Sequence, residues 1–186
     1  MNKYVINFFI SLFIISIGCK NKDTCNKTKI SISDFNLKKD ITDFSNKMTK
    51  NDTIYVFADL SVDLTRVKYC NVITKTKDTV YISTKAMDKT ETGNDLEIDF
   101  GKTVYNYKEN DSLNLEDLIY YMQKYTCSEK FLFFPTLQVI YKSDTISYES
   151  NGILEKLKFT LYYVSIIQRL YPNKEKYPGI VVFTKE

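Results

Sequence analysis

Much of the middle of the chain alternates apolar and polar residues with a period of two, the pattern typical of half-buried β-strands. Three such segments are rich in Val, Ile, Tyr, Phe and Thr: 53–60, 67–74 and 79–84. Between the last two lies a polar run of hairpin length, 75–78. Further along, apolar residues alternate with acidic ones at Leu96, Ile98 and Phe100, and the segment 103–107 can continue as another strand. We therefore predict several strands joined mainly by hairpins.

A similar pattern returns in shorter segments towards the end of the chain. The candidate strands there are 131–134, 137–142, 145–148 and 180–184. Pro135 interrupts the first two of these segments, and Ser143-Asp144 supplies turn residues between the next two. This part of the chain is therefore predicted to add one more hairpin and a last strand.

Apolar residues spaced three and four apart predict two short amphipathic helices. The first helix carries four apolar residues on an otherwise polar segment: Leu37, Ile41, Phe44 and Met48. A loop with scattered apolar residues is the alternative for this segment. In the second helix, Asn114 is the predicted N-cap, and acidic residues in the first turn complement the helix dipole. The apolar face of the second helix consists of Leu115, Leu118, Ile119 and Met122.

The longest predicted helix covers 153–170, with Asn151-Gly152 before it and Pro172 after it. Its apolar stripe is predicted to consist of Ile153, Leu157, Leu161, Val164 and Ile167, with further apolar residues at the sides. Such a broad stripe indicates a helix that lies across a sheet. The order of elements therefore predicts an α+β fold, in which a mainly antiparallel sheet is combined with about three helices.

The first residues of the chain have the layout of a secretory signal peptide. Lys3 is followed by a largely apolar run, 4–17, and then by Gly18 and Cys19. This run is shorter than the roughly 20 apolar residues that a membrane-spanning helix needs. The segment 20–29 is polar and rich in lysine, so it is predicted to be a tether.

The segment Ser16-Ile17-Gly18-Cys19 resembles the lipobox of bacterial lipoproteins, except that Ser16 stands where leucine is usual. The resemblance implies cleavage between Gly18 and Cys19, lipidation of the Cys19 thiol and acylation of the new amino end. The predicted organisation is a removed signal peptide (1–18), a lipidated tether (19–30) and a single α+β domain (31–186). An uncleaved membrane anchor with an incidental cysteine is the alternative.

The resemblance also implies where the protein is located and what it contacts. We expect an exported protein that is lipid-anchored at Cys19, in the outer membrane of a Gram-negative cell, on its periplasmic or surface face. The lipid bilayer is then one partner, and a protein or a glycan of unknown identity is the other. The formal net charge is only +3, with lysines and acids interspersed, so we expect no nucleic-acid partner.

Cysteine spacing gives little indication of chemistry beyond the anchor. Once Cys19 is assigned to lipid, three cysteines remain, Cys25, Cys70 and Cys127, and no two of them form a CxxC pair. In an oxidising compartment one disulfide is plausible. Cys25 lies in the predicted tether, so the predicted bond joins Cys70 to Cys127; three free thiols are the alternative.

Catalytic and metal-binding motifs are missing from the sequence. The chain has no histidine, which excludes a Ser-His-Asp or Cys-His site. The best acidic cluster is Asp95, Glu97 and Asp99, because alternate residues of a strand lie about 6.5–7 Å apart on one face. Such a cluster is a weak candidate for a calcium site or for the carboxylates of a glycosidase. An ordinary solvated strand face is the alternative.

We therefore predict no catalytic residues and no cofactor. The favoured hypothesis is a non-catalytic, membrane-anchored binding or interaction module of the cell envelope. The alternative is a secreted carboxylate-dependent hydrolase that acts on a glycan. A deep pocket with converging acids would favour the hydrolase, whereas a flat exposed aromatic patch would favour the binding module.

Overall fold

The computed structural model describes residues 33–61, 66–89, 95–106, 113–125 and 136–179. Two of the predicted strands, 131–134 and 180–184, lie outside these residues, as do the predicted signal peptide and the predicted tether. The described strands are β1 (Thr53–Asp59), β2 (Arg66–Thr76), β3 (Thr79–Lys89), β4 (Asp95–Val104), β5 (Leu137–Tyr141) and β6 (Asp144–Tyr148). They form one sheet in the order β4-β3-β2-β1-β5-β6, and each neighbouring pair is antiparallel.

Three helical segments accompany the sheet. The first is broken into α1 (Leu37–Asp40), a 3-10 turn (Ile41–Asp43) and α2 (Phe44–Lys47). The second and third are α3 (Leu115–Tyr125) and α4 (Ile153–Leu170). Asn114 caps α3 as predicted, because its side-chain oxygen accepts a hydrogen bond from the Asp117 amide at 2.8 Å. The predicted α+β fold with a mainly antiparallel sheet is therefore confirmed.

The helices cover one face of the sheet. In β1, Ile54, Val56 and Ala58 are buried, whereas the alternate residues Tyr55 and Phe57 are exposed. The apolar positions predicted for the first two helices are all buried: Leu37, Ile41, Phe44, Met48, Leu115, Leu118, Ile119 and Met122. The hydrophobic core therefore lies between the helices and a single face of the sheet.

The apolar stripe predicted for α4 is wrong at its first three positions. Ile153, Leu157 and Leu161 are exposed, whereas Val164 and Ile167 are buried. The buried side of the helix is formed by Phe159, Thr160, Tyr163, Val164, Ile166 and Ile167. The helix is apolar around much of its girth, so its own periodicity did not distinguish the side that faces the sheet. The aromatic residues Phe159 and Tyr163 are among the residues on its buried side.

Hydrogen bonds between buried polar side chains fix α4 against the sheet. On β2, the side-chain amide of Asn71 donates to the Tyr163 hydroxyl at 2.6 Å and to the carbonyl of Val56 at 3.1 Å. Thr84 on β3 donates to the Asn71 side-chain oxygen at 2.9 Å. Since these buried groups are paired, the network avoids the cost of unsatisfied polar atoms and specifies one position of the helix.

A β-bulge in β4 shifts its pairing register with β3. Thr84 pairs with Gly101 while the next residue, Lys85, pairs with Asp99, so Phe100 is the extra residue. Gly101 has a φ of +83°, a value that glycine adopts readily. As a result, β4 continues through the Gly101-Lys102 position to Val104 as one strand.

No described helix is long and apolar enough to span a membrane.

Candidate functional site

The face of the sheet that points away from the described helices is called here the open face. Its exposed large side chains are Tyr55, Phe57, Met87 and Val104. These residues come from three strands, β1, β3 and β4, and their position follows from strand alternation, because their sequence neighbours point into the core. The open face is thus a broad surface with exposed aromatic residues near its middle.

The register of the strands places Tyr55 in the centre of one row across the sheet. Tyr55 lies opposite Val72 on β2 and Ile140 on β5. Both neighbours are partly exposed. An aromatic residue flanked by β-branched residues on adjacent strands is a stabilising arrangement within a sheet. It also presents a contiguous apolar strip to solvent.

Phe57 occupies the next row. It lies opposite Cys70 on β2 and Gln138 on β5, and Cys70 lies in turn opposite Lys85 on β3. Tyr55 and Phe57 are 41% and 38% exposed, which is high for aromatic residues on a central strand. The two rows together form an apolar centre with polar and charged residues towards β4.

Charged residues occupy the periphery of the open face. Lys85 Nζ lies 2.7 Å from Glu97 Oε1, and hydrogen bonding to Glu97 raises the pKa of Lys85. Lys102 Nζ lies 4.4 Å above the centre of the Tyr81 ring, within the range of a cation–π contact. A polar rim around an apolar centre is the usual anatomy of a protein–protein contact surface.

The predicted acidic cluster on β4 does not converge on a site among its described side chains. Glu97 is paired with Lys85, and Asp99 Oδ1 accepts a hydrogen bond from the Gly101 amide at 2.7 Å. The side chain of Asp95 lies outside the described part of the chain. Among the described residues, no group of three His, Cys, Asp or Glu residues could hold a metal ion. Periodicity had indicated the shared face but could not show these pairings.

Cys70 is half-buried on the open face, between Phe57 and Lys85. Burial raises the pKa of the Cys70 thiol and outweighs the opposing effect of Lys85, so the unreactive thiol form is favoured at neutral pH. Cys25 and Cys127 lie outside the described residues. The Cys70–Cys127 disulfide therefore stays a prediction.

Two carboxylates are buried away from the open face. Asp52 accepts hydrogen bonds from the Ser33 hydroxyl, the Thr49 amide and hydroxyl, and the Tyr141 hydroxyl, at 2.6–2.9 Å. Burial acts to raise the pKa of Asp52, but these hydrogen bonds together lower it below its ordinary value. The Asp52 side chain therefore connects the residue before β1 to Ser33, Thr49 and Tyr141.

The second buried carboxylate, Glu116, lies in the first turn of α3. It accepts hydrogen bonds from the Ser45 amide at 3.0 Å and from the Tyr105 hydroxyl. Burial raises the pKa of Glu116, since these neutral donors do not compensate for the loss of water. Glu116 links α2, Tyr105 directly after β4, and α3, which is a structural role. Sequence analysis missed it, because it resembles any acidic residue in a first helical turn.

A groove lies between α3 and α4. Its volume is about 500 Å³, and its walls include Tyr120, Tyr121, Lys158 and Tyr162. Among the described residues that line it, Asp117 is acidic. A glycosidase needs two carboxylates that flank the bond to be broken, and this groove does not supply them.

The predicted lipidation site, Cys19, and the residue before the predicted cut, Gly18, lie outside the described residues, so both stay predictions. Comparisons of the chain with protein-family models, with curated proteins and with solved structures found no match.

Proposed function

We propose that this protein is a lipid-anchored binding module of the cell envelope, and that the open face of its sheet contacts a protein partner. The observation that supports the binding role is the pair of exposed aromatic residues, Tyr55 and Phe57, on the central strand β1. Aromatic residues at the centre of a surface and charged residues at its rim are characteristic of interfaces between proteins.

The composition of the open face favours a protein partner over a small molecule. Its apolar centre is broad and spans adjacent strands, whereas a small-molecule site is usually a cleft that encloses its ligand. The rim carries both signs of charge, with Lys85 next to Glu97 and Lys68 Nζ 3.7 Å from Asp59. Such mixed charges can be matched by a protein surface and fix the orientation of the partner.

The anchoring part of the proposal is supported by the lipobox resemblance of 16–19. In the source cell, wild-type protein is expected in the membrane fraction with radiolabelled lipid attached. The Cys19→Ala variant is expected to be unprocessed or soluble, because only a cysteine can form the thioether to diacylglycerol. Label in the Cys19→Ala variant, or soluble wild-type protein, would contradict the anchor.

Photo-crosslinking in the source cell tests the binding role. A photoreactive phenylalanine analogue is placed at Phe57 and, as a matched control on the helix side, at the exposed Lys38 of α1. A specific protein adduct is expected from position 57 only. Adding Tyr55→Glu should remove the adduct, since a charge in the apolar centre opposes desolvation. Equal adducts from both positions, or none from position 57, would contradict the proposed interface.

A further inference from the structure

A second exposed apolar surface lies on the outer side of the helices, opposite the open face. On α4 it comprises four aliphatic residues: Ile153, Leu154, Leu157 and Leu161. Leu154 and Leu161 are 75% and 64% exposed, values typical of charged surface residues and not of leucine. On α3, Tyr120 and Tyr121 are exposed as well. These six residues are called here the helix surface.

The spacing of these residues places them along one side of α4. Leu154, Leu157 and Leu161 are separated by three and four positions, so they follow each other along the helix over about 10 Å of axial rise. The adjacent buried side of α4 holds Tyr163 and Ile167 against the sheet. The leucines are therefore not needed for the core, and they form a stripe that faces solvent.

The two helices that carry the helix surface lie next to each other. Arg169, near the end of α4, donates a hydrogen bond at 2.8 Å to the carbonyl of Leu113, two residues before α3 begins. The groove described above separates the helices and is lined by residues of both. Tyr120 and Tyr121 of α3 line this groove together with Lys158 of α4, the helix that also carries the exposed leucines.

Lysines accompany the apolar residues of the helix surface. Among the described residues, Lys124, Lys158 and the acidic Asp117 line the groove. Aliphatic residues combined with tyrosine and lysine are characteristic of helices that lie in the interface of a membrane. There the aliphatic groups enter the acyl region, tyrosine occupies the headgroup level and lysine contacts anionic lipid.

The chain between the proposed anchor and the described domain is short. Residues 19–32 number fourteen, and a chain of that length extends at most about 50 Å. A lipidated Cys19 would therefore keep Ser33, the first described residue, within about 50 Å of one bilayer. Tethering converts docking into an intramolecular event with a high effective concentration, so that even a weak apolar contact becomes populated.

We infer that the helix surface docks on the lipid bilayer to which the chain is anchored. This inference depends on the proposed lipidation for its tether. Leu154, Leu157 and Leu161 enter the boundary between headgroups and acyl chains, and Lys158 contacts anionic headgroups. Because the open face lies on the other side of the molecule, this orientation turns Tyr55 and Phe57 away from the membrane.

Fluorescence of a single tryptophan tests the inference in the full chain, because the natural sequence contains none. Leu161→Trp reports on the helix surface, and Phe57→Trp on the open face is the matched control. Each lipidated variant is reconstituted into vesicles of phosphatidylcholine and phosphatidylglycerol, with or without brominated acyl chains. We expect emission at shorter wavelength and strong quenching by brominated lipid for Leu161→Trp, and neither effect for Phe57→Trp.

A second substitution and a flotation assay provide further tests of the inference. Adding Leu154→Glu to Leu161→Trp should reduce the quenching. Vesicle-bound Leu161→Trp protein without quenching would overturn the inference, as would equal quenching of Phe57→Trp. If flotation shows no lipid anchor, the proposed function fails, independently of the inference. The chain is then titrated with preformed vesicles of the same lipids. Absence of quenching of the Leu161→Trp emission in that titration would also overturn the inference. Short-wavelength emission of Leu161→Trp without vesicles would instead assign the surface to a second copy, or to another segment of the chain.

Discussion

Asp52 and Glu116 show how two buried carboxylates can respond oppositely to pH. Four hydrogen bonds to charged Asp52 lower its pKa, whereas burial raises the pKa of Glu116. A group whose pKa is lowered in the folded protein contributes to stability at pH values above its ordinary pKa. This contribution is lost as the pH falls through the folded-state pKa. A group whose pKa is raised in the folded protein contributes to stability at pH values below its ordinary pKa. That contribution is lost as the pH rises through the folded-state pKa.

The Asp52→Asn variant is expected to be less stable than wild type near neutral pH. The amide cannot accept all four hydrogen bonds, so the free energy of unfolding should fall by about 1–3 kcal/mol. The difference should shrink as the pH drops below 3.8, the ordinary pKa of aspartate, because Asp52 is then protonated first in the unfolded chain and, at still lower pH, in folded wild type as well. Urea unfolding at several pH values measures this. The exposed Asp78→Asn is the control, and an equal loss in both variants would contradict the role of Asp52.

The Glu116→Gln variant should show the opposite trend. Glutamine keeps an acceptor for the Ser45 amide and carries no charge. Its free energy of unfolding relative to wild type should therefore rise as the pH is raised from 4.5, the ordinary pKa of glutamate, towards neutral, because wild-type Glu116 ionises at its buried position over this range. The exposed Glu149→Gln serves as the control. A difference that stays constant over this range would show that Glu116 titrates as in the unfolded chain.

At the scale of elements, α4 illustrates a helix with apolar residues on more than one side. Phe159 and Tyr163 pack against the sheet, whereas Leu157 and Leu161 face outwards. The rings of Tyr69 and Tyr163 lie 5.2 Å apart in an edge-to-face arrangement, a favourable geometry for aromatic pairs. The aromatic residue of β2, Tyr69, therefore favours packing of the aromatic side of the helix against the sheet.

Alanine substitutions on the two sides of α4 should have different effects on stability. Ile167→Ala removes fully buried methyl groups and should lower the free energy of unfolding by about 2–5 kcal/mol. Leu161→Ala should change it by no more than about 0.5 kcal/mol, because the side chain is mostly in water already. Chemical unfolding of the unlipidated Cys19→Ala chain provides the measurement. Comparable losses in both variants would mean that Leu161 is covered in solution.

The sequence was sufficient to predict most elements of the fold, including α4 with its observed bounds, Ile153–Leu170. Local patterns carry this information, since strand alternation and helix caps depend on neighbouring residues. The side of α4 that is buried depends instead on partners far along the chain, such as Tyr69. The bulge at Phe100 and the exposure of Tyr55 and Phe57 are likewise tertiary features. An alternating pattern indicates two faces but does not show whether each face is covered.

At the scale of the whole molecule, two exposed apolar surfaces lie on opposite sides of the sheet. We propose that the helix surface contacts lipid and that the open face contacts a protein. The domain between them is one sheet and one helical layer thick. An orientation set on one side therefore fixes the direction in which the other side points.

A disulfide between Cys70 and Cys127 stays a prediction at this scale. It would close a loop of about 57 residues and stabilise the fold by roughly 4 kcal/mol, because it restricts the unfolded chain. Mass measurement after alkylation of the mature, membrane-extracted protein should find one internal disulfide and one free thiol at Cys25. Two or more free thiols would contradict the bond. Reduction should lower the melting temperature if the bond is present.

The strand order also has a consequence for the path of folding. The β2–β3 pair closes through a two-residue turn, whereas β1 pairs with β5 across a gap of about 80 residues, from Ala58 to Leu137. Closing the longer loop costs more chain entropy, so we expect β2, β3 and β4 to associate first and β5 to join late. Stopped-flow kinetics should then show slower folding for Ile82→Val on β3, and mainly faster unfolding for Val139→Ala on β5. Equal slowing of folding by both would contradict this order. Until β5 joins, one edge of β1 and its exposed aromatic residues are available to other chains, which makes the late step the point at which the protein is most prone to aggregate.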